Sequence, residues 1–136
     1  MRKEYPQRNH CQEKARAPPS TEVIVGGIRD NQFGPSVMFG LGGIFTEVYE
    51  DVAFRVAPID RMEASNLIHE LKGSRILEGM RGKTPVDVNS IINVLLSVSN
   101  LMLEHGAISE LDLNPVIAYS HGVCAVDSRI IIGQTG

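Results

Sequence analysis

The residues best placed to do chemistry lie near the C-terminal end. Glu110-Leu111-Asp112-Leu113-Asn114-Pro115 alternates polar and apolar with the period of a β-strand, so Glu110, Asp112 and Asn114 share one strand face. Val123-Cys124-Ala125-Val126-Asp127-Ser128-Arg129 is apolar, then polar, and His121-Gly122 before it is turn material. A chain folded back around Ser120 and His121 brings Asn114 roughly opposite Asp127. Oxygen ligands on neighbouring strands suit a hard cation such as magnesium. The blander reading is an edge strand whose polar face meets water, which would suit Glu110. Against it, Asp112 and Asn114 stand amid Ile108, Leu111, Leu113 and Val116, where β-propensity disfavours them. Neighbouring carboxylates on a sheet face repel unless neutralised. Arg129 could do this, being two residues beyond Asp127 on the same face. A bound cation and an internal ion pair are both open at this point.

Other chemistry-bearing residues are less specific. Gly40-Leu41-Gly42-Gly43 would let backbone approach a ligand closely, and its amides could face phosphate oxygens. It lacks the Lys-Ser/Thr ending of a P-loop and precedes a strand, so a tight connection between strands is the expectation. Arg29 and Arg81 sit in polar, turn-rich stretches where a guanidinium could meet phosphate or carboxylate. Arg29 could equally pair with Asp30 or Glu47. The four histidines have no zinc-ligand spacing, and Cys11 and Cys124 are too few for a disulfide framework or a cysteine-rich zinc site.

Composition bounds the rest. A chain of 136 residues with 43% apolar content is one domain at most, able to bury an ordinary core. A formal charge of -3 leaves no basic stripe for nucleic acid. There is no run of membrane-span length and no signal-peptide core, so a soluble cytoplasmic protein is expected. Residues 1–20, ending in Ala17-Pro18-Pro19-Ser20, are polar and expected to form a flexible arm.

The elements that must position these residues follow from pattern. Strands are predicted at Glu22–Ile28, Val37–Phe39, Ile44–Tyr49 and Val52–Ala57, too close together for crossover helices and therefore mainly antiparallel. Asp60-Arg61-Met62-Glu63 is a capping-box pattern that opens a first helix, with Gly73 as its stop. Thr84-Pro85-Val86-Asp87 opens a second, with Pro85 at the first helical position and Gly106 at the close. A short helical turn and a loop are expected between them. The last two strands form the acidic hairpin, the first running from about Ala107 to Tyr119. The fold class is α+β, with helices packed on one face of a mainly antiparallel sheet.

Taken together, these segments are similar to a known pattern. Glu22-Val23-Ile24-Val25-Gly26, Arg29-Asp30-x-x-Phe33-Gly34-Pro35 and Phe39-Gly40-x-Gly42-Gly43 with Glu47 and Asp51 begin it. Leu77-x-Gly79-x-Arg81-Gly82, Pro85, Asp87, Glu110-Leu111-Asp112-x-Asn114-Pro115 and Gly122-Val123-x-Ala125-Val126-Asp127-x-Arg129 complete it. In order and over nearly all of residues 12–132, they resemble the ATP-grasp region of ADP-forming acyl-CoA synthetases, related to the succinyl-CoA synthetase β chain. The resemblance implies an acid–CoA ligase of the acetate–CoA ligase type, interconverting acyl-CoA, ADP and phosphate with free acid, CoA and ATP. By the same resemblance, Asn114 and Asp127 match magnesium ligands, with Asp112 an acidic neighbour. Arg29, Gly40, Gly42, Gly43 and Arg81 become candidates for the nucleotide phosphates. Only the C-terminal ATP-grasp subdomain, residues 21–133, has a counterpart. The N-terminal subdomain, the CoA-binding domains and the phosphohistidine segment do not, and no histidine here matches the phosphohistidine. The expectation is therefore part of a larger enzyme, inactive alone, with CoA bound elsewhere and association with other copies or subunits. A regulatory or degenerate ATP-grasp remnant and a non-catalytic interaction module are the alternative readings.

Overall fold

A computed structural model describes residues 20–42, 51–79 and 84–133. The β-branched run in the first block forms β1, Thr21–Asp30, which pairs antiparallel with β2, Gly34–Leu41. The turn between them is held locally: Asp30 Oδ1 accepts from Gln32 N at 2.7 Å and from Phe33 N at 2.8 Å, and Gly34 adopts a φ of 81°. β3, Val52–Val56, adds to the outer side of β2. The glycine stretch differs from expectation, because β2 continues through Gly40 and Leu41. Gly40 is a ladder residue between Ile24 and Val52 rather than part of a connection. The predicted strand at Ile44–Tyr49 and the N-terminal arm over residues 1–19 lie outside the described residues.

Helix α1, Arg61–His69, begins at the predicted capping box. Asp60 Oδ1 accepts from Glu63 N at 2.8 Å while Glu63 Oε1 accepts from Asp60 N at 3.1 Å. It ends with Glu70 as its cap, earlier than Gly73, which instead caps a 3-10 helix at Ser74–Glu78. The acceptor responsible is Asp51, whose carboxylate takes Lys72 N at 3.0 Å and Gly73 N at 2.8 Å. Helix α2, Val88–Glu104, starts later than Thr84-Pro85 suggested, because Asp87 is its N-cap. Its apolar positions Ile91, Leu95, Val98 and Met102 recur at helical spacing and are fully or nearly fully buried. Ser99, on the same side, is buried with a purpose: its Oγ accepts from Ile59 N at 3.2 Å.

β4, Ile108–Ala118, pairs with the other side of β1, close to the predicted limits. The return strand is in two pieces, β5 at Val123–Ala125 and β6 at Ser128–Ile132, both antiparallel to β4. The sheet order is β3-β2-β1-β4-β5, with β6 continuing beside β4. All its pairs are antiparallel. Alternation along β1 and β2 sends Val23, Val25, Val37, Phe39 and Leu41 to the helices, where they meet Leu67, Ile68, Ile91 and Leu95 in one core. Helix α2 comes so close to β1 that a Cβ on Gly27 would lie 2.8 Å from Met102 Cγ and Sδ. One face of the sheet is thus sealed by α1 and α2, and Asp112 and Asn114 of β4 sit on the other. Among the described residues no helix is long and apolar enough to cross a membrane.

Candidate functional site

The opposite face of the sheet carries Glu110 and Asp112 from β4, as the partners of Ile28 and Gly26 on β1. On β6, Arg129 stands across from Asp112, and Ser128 across from Leu113. The same register continues through the break between β5 and β6. Asn114 N donates to Asp127 O at 3.2 Å, Val126 N donates to Pro115 O at 3.0 Å, and Val116 pairs with Ala125. The hairpin therefore folds back about Ser120 and His121, and Asn114 faces Asp127, as the alternation predicted. Both are exposed.

Two features make this part of β4 unlike an ordinary strand. Val23 pairs with Val116 but Val25 pairs with Leu113, so Asn114 and Pro115 together oppose Ile24 in a bulge. The Asn114–Pro115 peptide is cis. Pro115 has no N–H to give, and a bulge is where a strand tolerates that loss. Bulges re-aim side chains, and here the residue re-aimed is Asn114. Asp127 is itself locally held, since its Oδ1 accepts from Ser128 N at 2.9 Å. Among the described residues the ion pairs are Arg55–Glu70 and His69–Glu78, so Asp112 and Arg129 face each other without closing one.

The donor set tests which cation would fit. An amide oxygen and a carboxylate on adjacent strands are hard oxygen ligands, suited to magnesium or calcium rather than to zinc or copper. Among the described residues no group of three His, Cys, Asp or Glu side chains converges as a complete metal cage. A two-residue set suits magnesium, which keeps water and takes phosphate oxygens into its shell.

The phosphate candidates are placed differently from one another. Arg29 points to the helix side: Nε donates to Ile108 O at 2.9 Å, and Nη2 to Met102 O at 2.6 Å and His105 O at 3.0 Å. It closes the C-terminus of α2, whose own last turn carries no basic residue. Pairing with Asp30 does not occur, because Asp30 serves the β1–β2 turn. Gly42 N donates to Glu22 O at 2.9 Å. A Cβ on Gly40 would come within 2.7 Å of Val52 Cγ1, and one on Gly42 within 3.1 Å of Glu22 Cβ. These glycines therefore have a packing role irrespective of any ligand. Gly43, Arg81 and Glu47 lie outside the described residues.

Asp87 holds a position that spacing alone could not disclose. Beyond capping α2 through Ser90 N at 3.1 Å and Ser90 Oγ at 2.8 Å, its Oδ2 accepts from Gly122 N at 2.8 Å. Those donors, Gly122 N–H first, hold its carboxyl below the usual carboxylate range. The sequence pattern puts the helix start at Thr84-Pro85; an Asp before the apolar period is the signal that marks the true cap, whereas the contact to the hairpin, 35 residues away, has none.

Beside the polar strip, the face turned away from α1 and α2 is apolar. Ile28, Phe33, Phe54 and Val56 are exposed and line a shallow hollow of about 290 Å³. Apolar side chains gathered on one sheet face mark a surface that another element can cover.

The ATP-grasp domain family pattern matches residues 3–132. Over 115 residues the chain is 50% identical to the acetate–CoA ligase [ADP-forming] I β subunit of Pyrococcus furiosus, covering 85% of this chain and 50% of that subunit. It is also 50% identical over 113 residues to acetate–CoA ligase [ADP-forming] I of Archaeoglobus fulgidus, covering 83% of this chain and 16% of that protein. The fold is similar, at a TM-score of 0.81 and 50% identity, to the acetyl-coenzyme A synthetase 1 of Candidatus Korarchaeum cryptofilum in complex with coenzyme A and Mg-AMPPCP. That superposition covers 85% of this chain and 55% of the other. The chain thus spans about half the length of the Pyrococcus subunit and a much smaller part of the Archaeoglobus protein.

Proposed function

The chain belongs to the ATP-grasp domain family, and from that premise we propose that it is the C-terminal ATP-grasp part, residues 21–133, of an ADP-forming acid–CoA ligase. In this reading another segment, supplied by a longer polypeptide or a partner subunit, completes the nucleotide site, and CoA binds elsewhere in the assembly. The reaction is interconversion of acyl-CoA, ADP and phosphate with free acid, CoA and ATP. The observation that carries the site is the register of the β4–β5–β6 hairpin, which sets Asn114 against Asp127.

Asn114 and Asp127 would hold magnesium, with Asp112 adding negative potential beside them. Bound there, the metal supplies charge neutralisation for nucleotide phosphates during phosphoryl transfer. This chain's own contribution is positioning. The bulge at Asn114-Pro115 re-aims the amide, the Asp127 backbone is bonded to Asn114, and Ser128 N holds one Asp127 carboxylate oxygen. Gly40, Gly42, Gly43 and Arg81 are candidates for the phosphates by the family resemblance. Arg29 would have to release three carbonyls to join them. The apolar surface at Ile28, Phe54 and Val56 is suited to be covered by the completing segment, which accords with the chain's spanning only half of its β-subunit relative.

The test is nucleotide binding with magnesium, by calorimetry, on the chain alone and with the completing ATP-grasp segment. Binding of ATP or ADP should require that segment and magnesium. Asn114→Ala and Asp127→Ala should each weaken magnesium-dependent binding by about tenfold or more. Unchanged binding and turnover in both variants of the complete assembly would sink the ligand assignment.

A further inference from the structure

We propose that Asp87 is a positioning residue for the Asn114–Asp127 pair, tying the hairpin turn to the N-terminus of α2 and so setting the register that places the two oxygen donors opposite each other. The functional meaning rests on the cation reading above, while the structural link can be tested apart from it.

Cys124 in β5 is disulfide-bonded, but the backbone pairing of the hairpin is thin. β4 is held on its inner side by β1, but its partner strand is at the sheet edge. β5 is only three residues long, and the ladder is interrupted before β6 begins. The turn contains Gly122 with a φ of 84° and open space where a Cβ would be, so its shape imposes little side-chain constraint. A slip of one residue would move Asp127 to the other face of the sheet and dismantle the pair.

Asp87 acts where such a slip would start. Tyr119 N donates to Gly122 O at 3.0 Å, closing one side of the turn. Asp87 bonds the two backbone groups on the other side: its N–H donates to Tyr119 O at 2.7 Å, and its Oδ2 accepts from Gly122 N at 2.8 Å. In an ordinary two-residue hairpin those groups bond each other. A single residue therefore grips both strand ends. That residue is itself immobilised by capping a 17-residue helix whose Ile91 and Leu95 are in the core. A shifted register would leave Gly122 N facing away from its acceptor, so the tie discriminates between registers instead of merely adding adhesion.

The experiment uses the full chain, isotopically labelled, with amide hydrogen exchange and Mn2+ titration followed by paramagnetic broadening, which detects weak metal binding. The variants are Asp87→Ala, Asp87→Asn and, as a comparison of matched global stability in urea, Ile92→Val or Ile92→Ala in the same helix. Asp87→Ala should accelerate exchange of the Asn114 and Val126 amides about tenfold more than the matched variant. It should also weaken Mn2+ broadening at Asn114 and Asp127 about tenfold, a typical loss when a group supporting a metal ligand is removed. Asp87→Asn keeps an oxygen for Gly122 N and should recover much of both. Equal behaviour of Asp87→Ala and the matched variant overturns the proposal. So does an Asp87→Asn variant that fails to improve on alanine. Should Asp87→Ala not fold, Asp87→Ser takes its place, keeping a capping oxygen for Ser90 N but no second oxygen for Gly122 N: exchange at Asn114 should be faster than in Asp87→Asn, and equal exchange overturns the proposal. Separately, Mn2+ broadening that persists in Asn114→Ala and Asp127→Ala refutes the cation reading and leaves the exchange result to judge the tie.

Discussion

Arg29 offers the sharpest test, because its position and its resemblance-based role point to different losses. Replacing it with methionine keeps most of the aliphatic stem and removes three charge-assisted donations, to Ile108 O at 2.9 Å, Met102 O at 2.6 Å and His105 O at 3.0 Å. Hydrogen bonds from a charged group contribute about 1.5–3 kcal/mol each, and more is lost when the abandoned partner is shielded from water. The His105 contact is exposed, and that carbonyl can recruit water, so the two part-buried contacts carry most of the effect. Arg29→Met should therefore cost about 3–5 kcal/mol, a large fraction of a domain's usual total of about 5–15 kcal/mol. At about 2–8 °C per kcal/mol, the midpoint should fall by about 10 °C or more. Arg29→Lys keeps the charge at the helix end but not the planar fork, and should lie between the two. Urea unfolding measures the loss, and ATP-analogue binding in the completed assembly supplies the second axis. A loss below about 1 kcal/mol, together with weakened nucleotide binding at unchanged stability, would refute the helix-closing role and put Arg29 at the phosphates.

Other consequences can be checked with the same instruments. Gly27→Ala would drive a methyl against Met102 Cγ and Sδ at 2.8 Å and Val98 Cγ1 at 3.2 Å, so the core must shift, and a loss of about 1–3 kcal/mol is expected in urea. Asp60→Ala removes the capping box of α1 and should cost about 1 kcal/mol, with Asp60→Asn recovering part of it. Asp87 provides the pH signature. Its folded pKa lies below the ordinary carboxyl value of 3.8, so the stabilisation is present above 3.8 and fades as pH falls through the lowered value. The stability gap between the unmodified chain and Asp87→Asn should thus be constant above about pH 5 and shrink only below 3.8, whereas a gap that closes near neutral pH would contradict it.

Particular residues show where pattern reading succeeded. Asp60 and Glu63 are three apart and directly precede an apolar period, so a capping box required only local chemistry, and it formed. The hairpin register was legible because side-chain alternation and turn material both pointed to Ser120 and His121. The failures were equally physical. Gly73 and Pro85 looked like helix boundaries, yet Asp51 and Asp87 set the boundaries by offering carboxylates to backbone N–H groups. Gly40 resembled a loop residue, but it pairs within the sheet, where Val52 on the neighbouring strand comes too close for a side chain.

By itself, the sequence determined the α+β class, the antiparallel hairpin and the facing of Asn114 and Asp127, since each follows from periodicities of two and 3.6 and from residues close in the chain. The resemblance it carries extended that to the ATP-grasp family. Only the tertiary structure decided what long-range partners demand. It turned the Arg29 guanidinium to the end of α2, 73–79 residues away along the chain, joined Asp87 to Gly122, and packed Gly27 under Met102. Such contacts leave no local signature, because any arginine can meet a carbonyl and any aspartate an amide. Which ones meet is settled when β1, α2 and β4 pack around a shared core. The same packing leaves the proposed cation pair on the face that α1 and α2 do not cover.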